Sequence, residues 1–104
     1  MDKSIQQIVE ELKTHISDKY KMTDMKVFGS TARDRRRPDS DIDIFILLPR
    51  VNRKIEEDLF DLAYELELKY DCLIDLIVFD EDSLRDRLSF TPFYRQVVSE
   101  GVSV

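Results

Sequence analysis

The 104 residues suit a single domain spanning 1–104, with 42% apolar and 10% aromatic residues for one core and 37% charged residues for a wet surface. Lys and Arg number 16 against 22 Asp and Glu, and the net charge of −6 argues against direct nucleic-acid binding or attraction to an anionic membrane. The longest apolar run, Ile44 to Leu48, is far short of the about 20 residues of a membrane span, and MDKSIQQIVEEL lacks the apolar segment of a signal peptide, so a cytoplasmic location is expected.

From Ser4 to Tyr20 the apolar residues Ile5, Ile8, Val9, Leu12 and Ile16 recur at steps of three and four, which predicts an amphipathic helix with His15 off the buried stripe. Met25 to Phe28 reads as a short strand ending at the turn Gly29-Ser30. A helical turn or two over Thr31 to about Arg36 is cut short because Pro38 disfavours helix at Arg37. Asp41 to Leu48 (DIDIFILL) is rich in β-branched and aromatic residues and predicts a strand closed by Pro49. Ile55, Leu59, Leu62, Ala63 and Leu66 predict a second amphipathic helix between Asn52, its N-cap, and Tyr70. Cys72 to Phe79 (CLIDLIVF) is apolar on both faces apart from one aspartate, which predicts a strand interior to the sheet. A helix from about Glu81 to Leu88, capped by Asp80, follows, then a last short helix from Thr91-Pro92 to about Ser99, ended by Gly101. The fold class expected from this order is α/β, with an approximately three-stranded mixed sheet packed with helices.

Residue counts narrow the chemistry. One cysteine, Cys72, and one histidine, His15, supply neither a disulfide nor a nitrogen-and-sulfur zinc site, and two glycines, Gly29 and Gly101, exclude the dinucleotide fingerprint and the P-loop. Asp41 and Asp43 stand two apart on a strand, so the pleat sends both carboxylates to one face, with Cα atoms about 6.6–6.8 Å apart. They read either as a solvated strand start after Pro38-Asp39-Ser40 or as one side of a cation site. Asp75 interrupts seven apolar residues, where a buried carboxylate without a partner costs several kcal/mol. It needs a partner, either a buried arginine or capping backbone amides, or a metal ion shared with Asp41 and Asp43. Three carboxylates without histidine or cysteine make an oxygen-only site that suits Mg²⁺, and Mg²⁺ draws its remaining ligands from water and substrate phosphates. Gly29-Ser30, between a strand and a helical turn, can let a phosphate approach the backbone and offer it a hydroxyl and an amide.

In FGSTARDRRRPDSDID, Gly-Ser is followed after ten residues by Asp-x-Asp, and an aspartate stands in a later apolar strand. This pattern resembles the nucleotidyltransferase superfamily related to DNA polymerase β. The small size, the sub-pattern G-S-x-A-R ending in R-P-D-S-D-I-D, and the tail TPFYRQVVSEGVSV are similar to the minimal nucleotidyltransferase (MNT) family, over essentially the whole chain. One departure is Asp34, where such proteins commonly have glycine.

The resemblance implies that Gly29 and Ser30 hold the β and γ phosphates of ATP. It implies that Asp41 and Asp43 bind Mg²⁺ ions, two of them in this mechanism, and that Asp75 completes one metal site and helps deprotonate the attacking hydroxyl. Arg33 is a candidate nucleotide contact, whereas Arg35, Arg36 and Arg37 read first as a solvated loop balanced by Asp34, Asp39 and Asp41, with contact to phosphate oxygens or to an acidic partner as the alternative. MNT proteins are typically paired with a HEPN-domain toxin that they adenylylate on a tyrosine, so the resemblance implies an antitoxin that transfers AMP from ATP to a HEPN partner. A non-catalytic module that occludes its partner through Phe90, Phe93, Tyr94 and the tail is the alternative from another class. Transfer to a small molecule, with a dimer supplying the second half of the site, is a third.

Overall fold

The computed structural model describes residues 3–28, 41–86 and 101–103, together with positions 92, 95 and 98. The first amphipathic stripe folds as expected: α1 (Lys3–Lys19) buries Ile5, Ile8, Val9, Leu12 and Ile16 and leaves His15 outside. The second, α2 (Arg53–Tyr70), buries Leu59, Ala63 and Leu66. Asn52 caps it, its side-chain oxygen accepting the Ile55 N–H at 2.9 Å. Without a glycine, α2 ends at Asp71, which adopts the left-handed conformation (φ 51°) and donates its N–H to the Glu67 carbonyl. Aspartate tolerates that region better than most residues.

Among the described residues four strands form one mixed sheet in the order β3-β2-β1-β4. β1 (Asp24–Phe28) pairs antiparallel with β2 (Ile42–Leu48), and β2 pairs parallel with β3 (Ile74–Asp80) through the crossover that α2 provides. The three expected strands make the body of the sheet. β4 (Val102–Ser103) adds a two-residue antiparallel edge on β1, in the tail where only the end of a helix is expected. Pro92, Arg95 and Val98 are helical, in keeping with the last predicted helix. The helix α3 (Glu81–Asp86) begins at Asp80, whose side chain accepts the Ser83 N–H at 2.8 Å and is thereby held below the usual carboxylate range.

The pleat divides the core in two. Met25, Val27, Ile42, Ile44, Ile46, Leu48 and Leu76 face α1 and α2 and pack with their buried stripes. Phe28, Phe45 and Leu47 form a separate cluster on the other side, with Ile77 and Phe79 against it and the Phe45 and Phe79 ring centres 5.9 Å apart.

Two expectations about the third strand are corrected. β3 lies at an edge of the sheet, and β2 holds the interior position. The apolar run of β3 reflects covering on both faces: Leu76 packs toward the helices, and Ile77 and Phe79 toward the aromatic cluster. Asp75 is therefore exposed rather than buried, because near the start of an edge strand water still reaches it. Among the described residues no helix is long and apolar enough to cross a membrane.

Candidate active site

The strand register determines how the acidic residues meet. Asp43 and Asp75 are direct Cα partners on parallel neighbours, so their backbones are about 4.8 Å apart and the shared pleat sends both carboxylates to the face opposite α1 and α2. Asp41 lies one residue before β2 and is exposed. Asp43 is half-buried and is the one residue of β2 that is not fully buried. The energetic argument made for Asp75 from the sequence thus belongs to Asp43, the acidic residue in the central strand.

Electrostatics links Asp43 to the other two acids. Burial first, and then the carboxylates of Asp75 and Asp41, push the Asp43 carboxyl above the ordinary aspartate range. The two neighbouring carboxylates raise the cost of ionising Asp43, which a bound cation would reverse. Among the described residues no three His, Cys, Asp or Glu side chains are grouped tightly enough to enclose an ion. The acids share a field at the sheet end without forming a closed cage, and no ion pair among the described residues engages Asp75. A buried arginine partner, another reading of that residue, is thus not found there. The donor set fits a hard, oxygen-preferring divalent cation: all three side chains are carboxylates, and Asp75 and Asp41 are exposed.

Phe28, the last residue of β1, is the Cα partner of Asp43, so β1 ends beside this residue. Gly29, Ser30, Arg33 and the cluster Arg35 to Arg37 lie outside the described residues, as do Phe90, Phe93 and Tyr94. A neighbour that sequence reasoning passed over is Leu73, 58% exposed. Its carbonyl accepts the Ile42 N–H at 2.8 Å, which sets an apolar side chain at the same end of the sheet as the acids. Its signal was its place two positions before Asp75.

Comparisons with known proteins bear on the family and the fold. Residues 9–103 match the nucleotidyltransferase domain family. A protein of Methanocaldococcus jannaschii named "Putative protein adenylyltransferase" is 33% identical over 101 residues, covering 96% of this chain and 93% of its own. A solved "putative minimal nucleotidyltransferase" superposes with a TM-score of 0.70 at 21% identity, over 100% of this chain and 97% of that one. A chain of the solved complex of the tri-AMPylated Shewanella oneidensis HEPN toxin with MNT antitoxin superposes with a TM-score of 0.61 at 24% identity, over 94% of this chain and 69% of that one.

Proposed function

The chain belongs to the nucleotidyltransferase domain family, and from that premise we propose that it transfers AMP from ATP to a hydroxyl, in the favoured case a tyrosine, of a HEPN-type toxin and so acts as its antitoxin. The observation that carries this reading is the in-register pair Asp43–Asp75 with Asp41 close enough to raise the Asp43 carboxyl further. The relative named as a protein adenylyltransferase supports transfer to protein, and the MNT antitoxin in complex with an AMPylated HEPN toxin supports the partner.

Asp41, Asp43 and Asp75 would hold Mg²⁺, two ions in this reading, which when bound neutralises the charge of the triphosphate and polarises the α phosphate. Gly29 and Ser30 would offer the turn amides and hydroxyl to the β and γ phosphates, since they follow directly on the register partner of Asp43. Arg33 would neutralise triphosphate charge from the same segment. The acceptor oxygen bonds to the α phosphorus, the bond to the β-phosphate oxygen breaks, and pyrophosphate carries away that electron pair. The hydroxyl proton passes to Asp75, which is exposed and able to hand it on to water. Placing the reactants in line and matching charge supply most of the rate.

The test is incubation of the protein and its HEPN partner with α-labelled ATP and Mg²⁺. Label is expected on the partner with the wild-type chain and not with Asp43→Asn or Asp75→Asn. Silencing of the partner by an Asp43→Asn chain that transfers no label would replace this reading with occlusion.

A further inference from the structure

Helix α2 buries one stripe and displays another. Phe60, Tyr64 and Leu68 are 47%, 59% and 68% exposed. Steps of four place them along one ridge, about 12 Å from end to end. Single exposed apolar residues are ordinary on a protein surface, but three large ones in a row are not. The ridge is bordered by exposed acids, Glu56, Glu57, Asp61 and Glu65. Basic residues of α2 lie toward its ends, and two are already matched: Arg53 pairs with Glu57 at 3.2 Å and Lys69 with Glu11 at 2.7 Å. Among the described residues, none of Glu56, Asp61 and Glu65 has a cationic partner.

This charge pattern selects among occupants. A second copy of the chain is disfavoured, because pairing about a two-fold axis at Tyr64 sets Asp61 against Glu67 and Glu57 against Asp71, acid on acid, in a protein already at −6. An apolar surface without charge would leave the bordering carboxylates unmatched at the rim. We propose that the outer face of α2 docks a cationic amphipathic helix of another protein, its apolar stripe on Phe60, Tyr64 and Leu68 and its Lys and Arg rim on Glu56, Asp61 and Glu65. Helix-on-helix docking of this kind reads anchors at helical spacing, with charge setting partner choice and association rate. The surface is separate from the aspartates, so its failure and that of the transfer chemistry are distinguishable: Asp43→Asn should dock as the wild type does.

The probe is a fluorescent helical peptide of leucine and lysine with the leucines along one face, titrated with the full-length chain and followed by anisotropy. Binding is expected to weaken as salt rises and to fall by about tenfold or more in the combined Phe60→Ser, Tyr64→Ser, Leu68→Ser variant. The combined Glu56→Gln, Asp61→Asn, Glu65→Gln variant should bind more weakly and lose most of the salt dependence. A leucine–glutamate peptide of the same pattern should not bind. If the triple serine variant loses the wild-type circular dichroism, Tyr64→Lys alone is read instead, with the same direction expected. Equal binding by wild type and the ridge variants would overturn the proposal, as would an unchanged salt slope in the neutralised variant. So would a wild-type dimer in sedimentation that Tyr64→Ser dissociates.

Discussion

Two acidic clusters in this molecule behave in opposite ways. On the helical layer, Glu11 of α1 accepts the Lys69 ammonium at 2.7 Å and the Tyr70 hydroxyl at 2.5 Å, both from α2. These bonds hold its carboxyl below the usual glutamate range. At the sheet end, burial and two neighbouring carboxylates push Asp43 the other way. Glu11 is an acid whose cation the fold supplies, and it joins two helices. Asp43 is an acid placed beside other acids in the central strand, where its charge works against folding. Folding does not explain that arrangement, and under the proposed function a cation brought with the substrate would.

The sharpest way to break the contrast is to neutralise one member of each cluster. Asp43→Asn is expected to lower transfer to the partner by about 10²–10³-fold or more, read with α-labelled ATP. In metal-free buffer the same variant should melt no lower than wild type. Glu11→Gln should do the reverse, leaving transfer intact and lowering the melting temperature. Next in size, Leu12→Ala, beside Glu11 on α1 and fully buried, is expected to cost about 2–5 kcal/mol in denaturant unfolding. That should exceed the effect of Glu11→Gln, because an ion pair reached by water is screened, so burial should emerge as the main tie between the helices and the clasp as a supplement. At the other end of α2, Asn52→Ala should remove about 1 kcal/mol by freeing the Ile55 N–H.

The smallest effects lie in the pH profile. Glu11 has a folded value below its ordinary 4.5, so its contribution is present above that value and is lost as pH falls through the folded one. Asp43 has a folded value above its ordinary 3.8, so its contribution is present below 3.8 and is lost as pH rises through the folded one. Melting curves across the acid range should therefore show a shallower acid loss for Glu11→Gln than for wild type. Asp43→Asn should show a steeper one, because the opposing term is gone.

Much of this was legible in the chain itself, and the misses have a common cause. The helical stripes were readable because helical periodicity is local, and the caps Asn52 and Asp80 because they act within three residues. The pleat alone leads to the expectation that Asp41 and Asp43 share a face, but β2 begins only at Ile42, one residue after Asp41. The alignment of Asp43 with Asp75 could be proposed but not read, since register between strands joined by an 18-residue helix is set by packing. The misplacement of β3 has a specific lesson. Leu76 is covered by helices and Ile77 and Phe79 by the aromatic cluster, so the run reports layers above and below the strand and says nothing about neighbours beside it. β4 went unread because two residues carry no pattern. The ridge Phe60-Tyr64-Leu68 was visible at four-residue spacing, but a stripe is assigned to core or surface only once the packed face is known.

The central claim is that the sheet-end carboxylates bind a divalent cation together with a nucleoside triphosphate. It is tested most directly by the melting temperature of wild type and Asp43→Asn, each titrated with Mg²⁺ and a non-hydrolysable ATP analogue. Saturation to about 100 times Kd stabilises a folded protein by about 2.7 kcal/mol, or some 10 °C or more for a domain of this size. A rise of that order in wild type and little or none in Asp43→Asn is the predicted result; an equal rise in both, or none in wild type, would contradict the account.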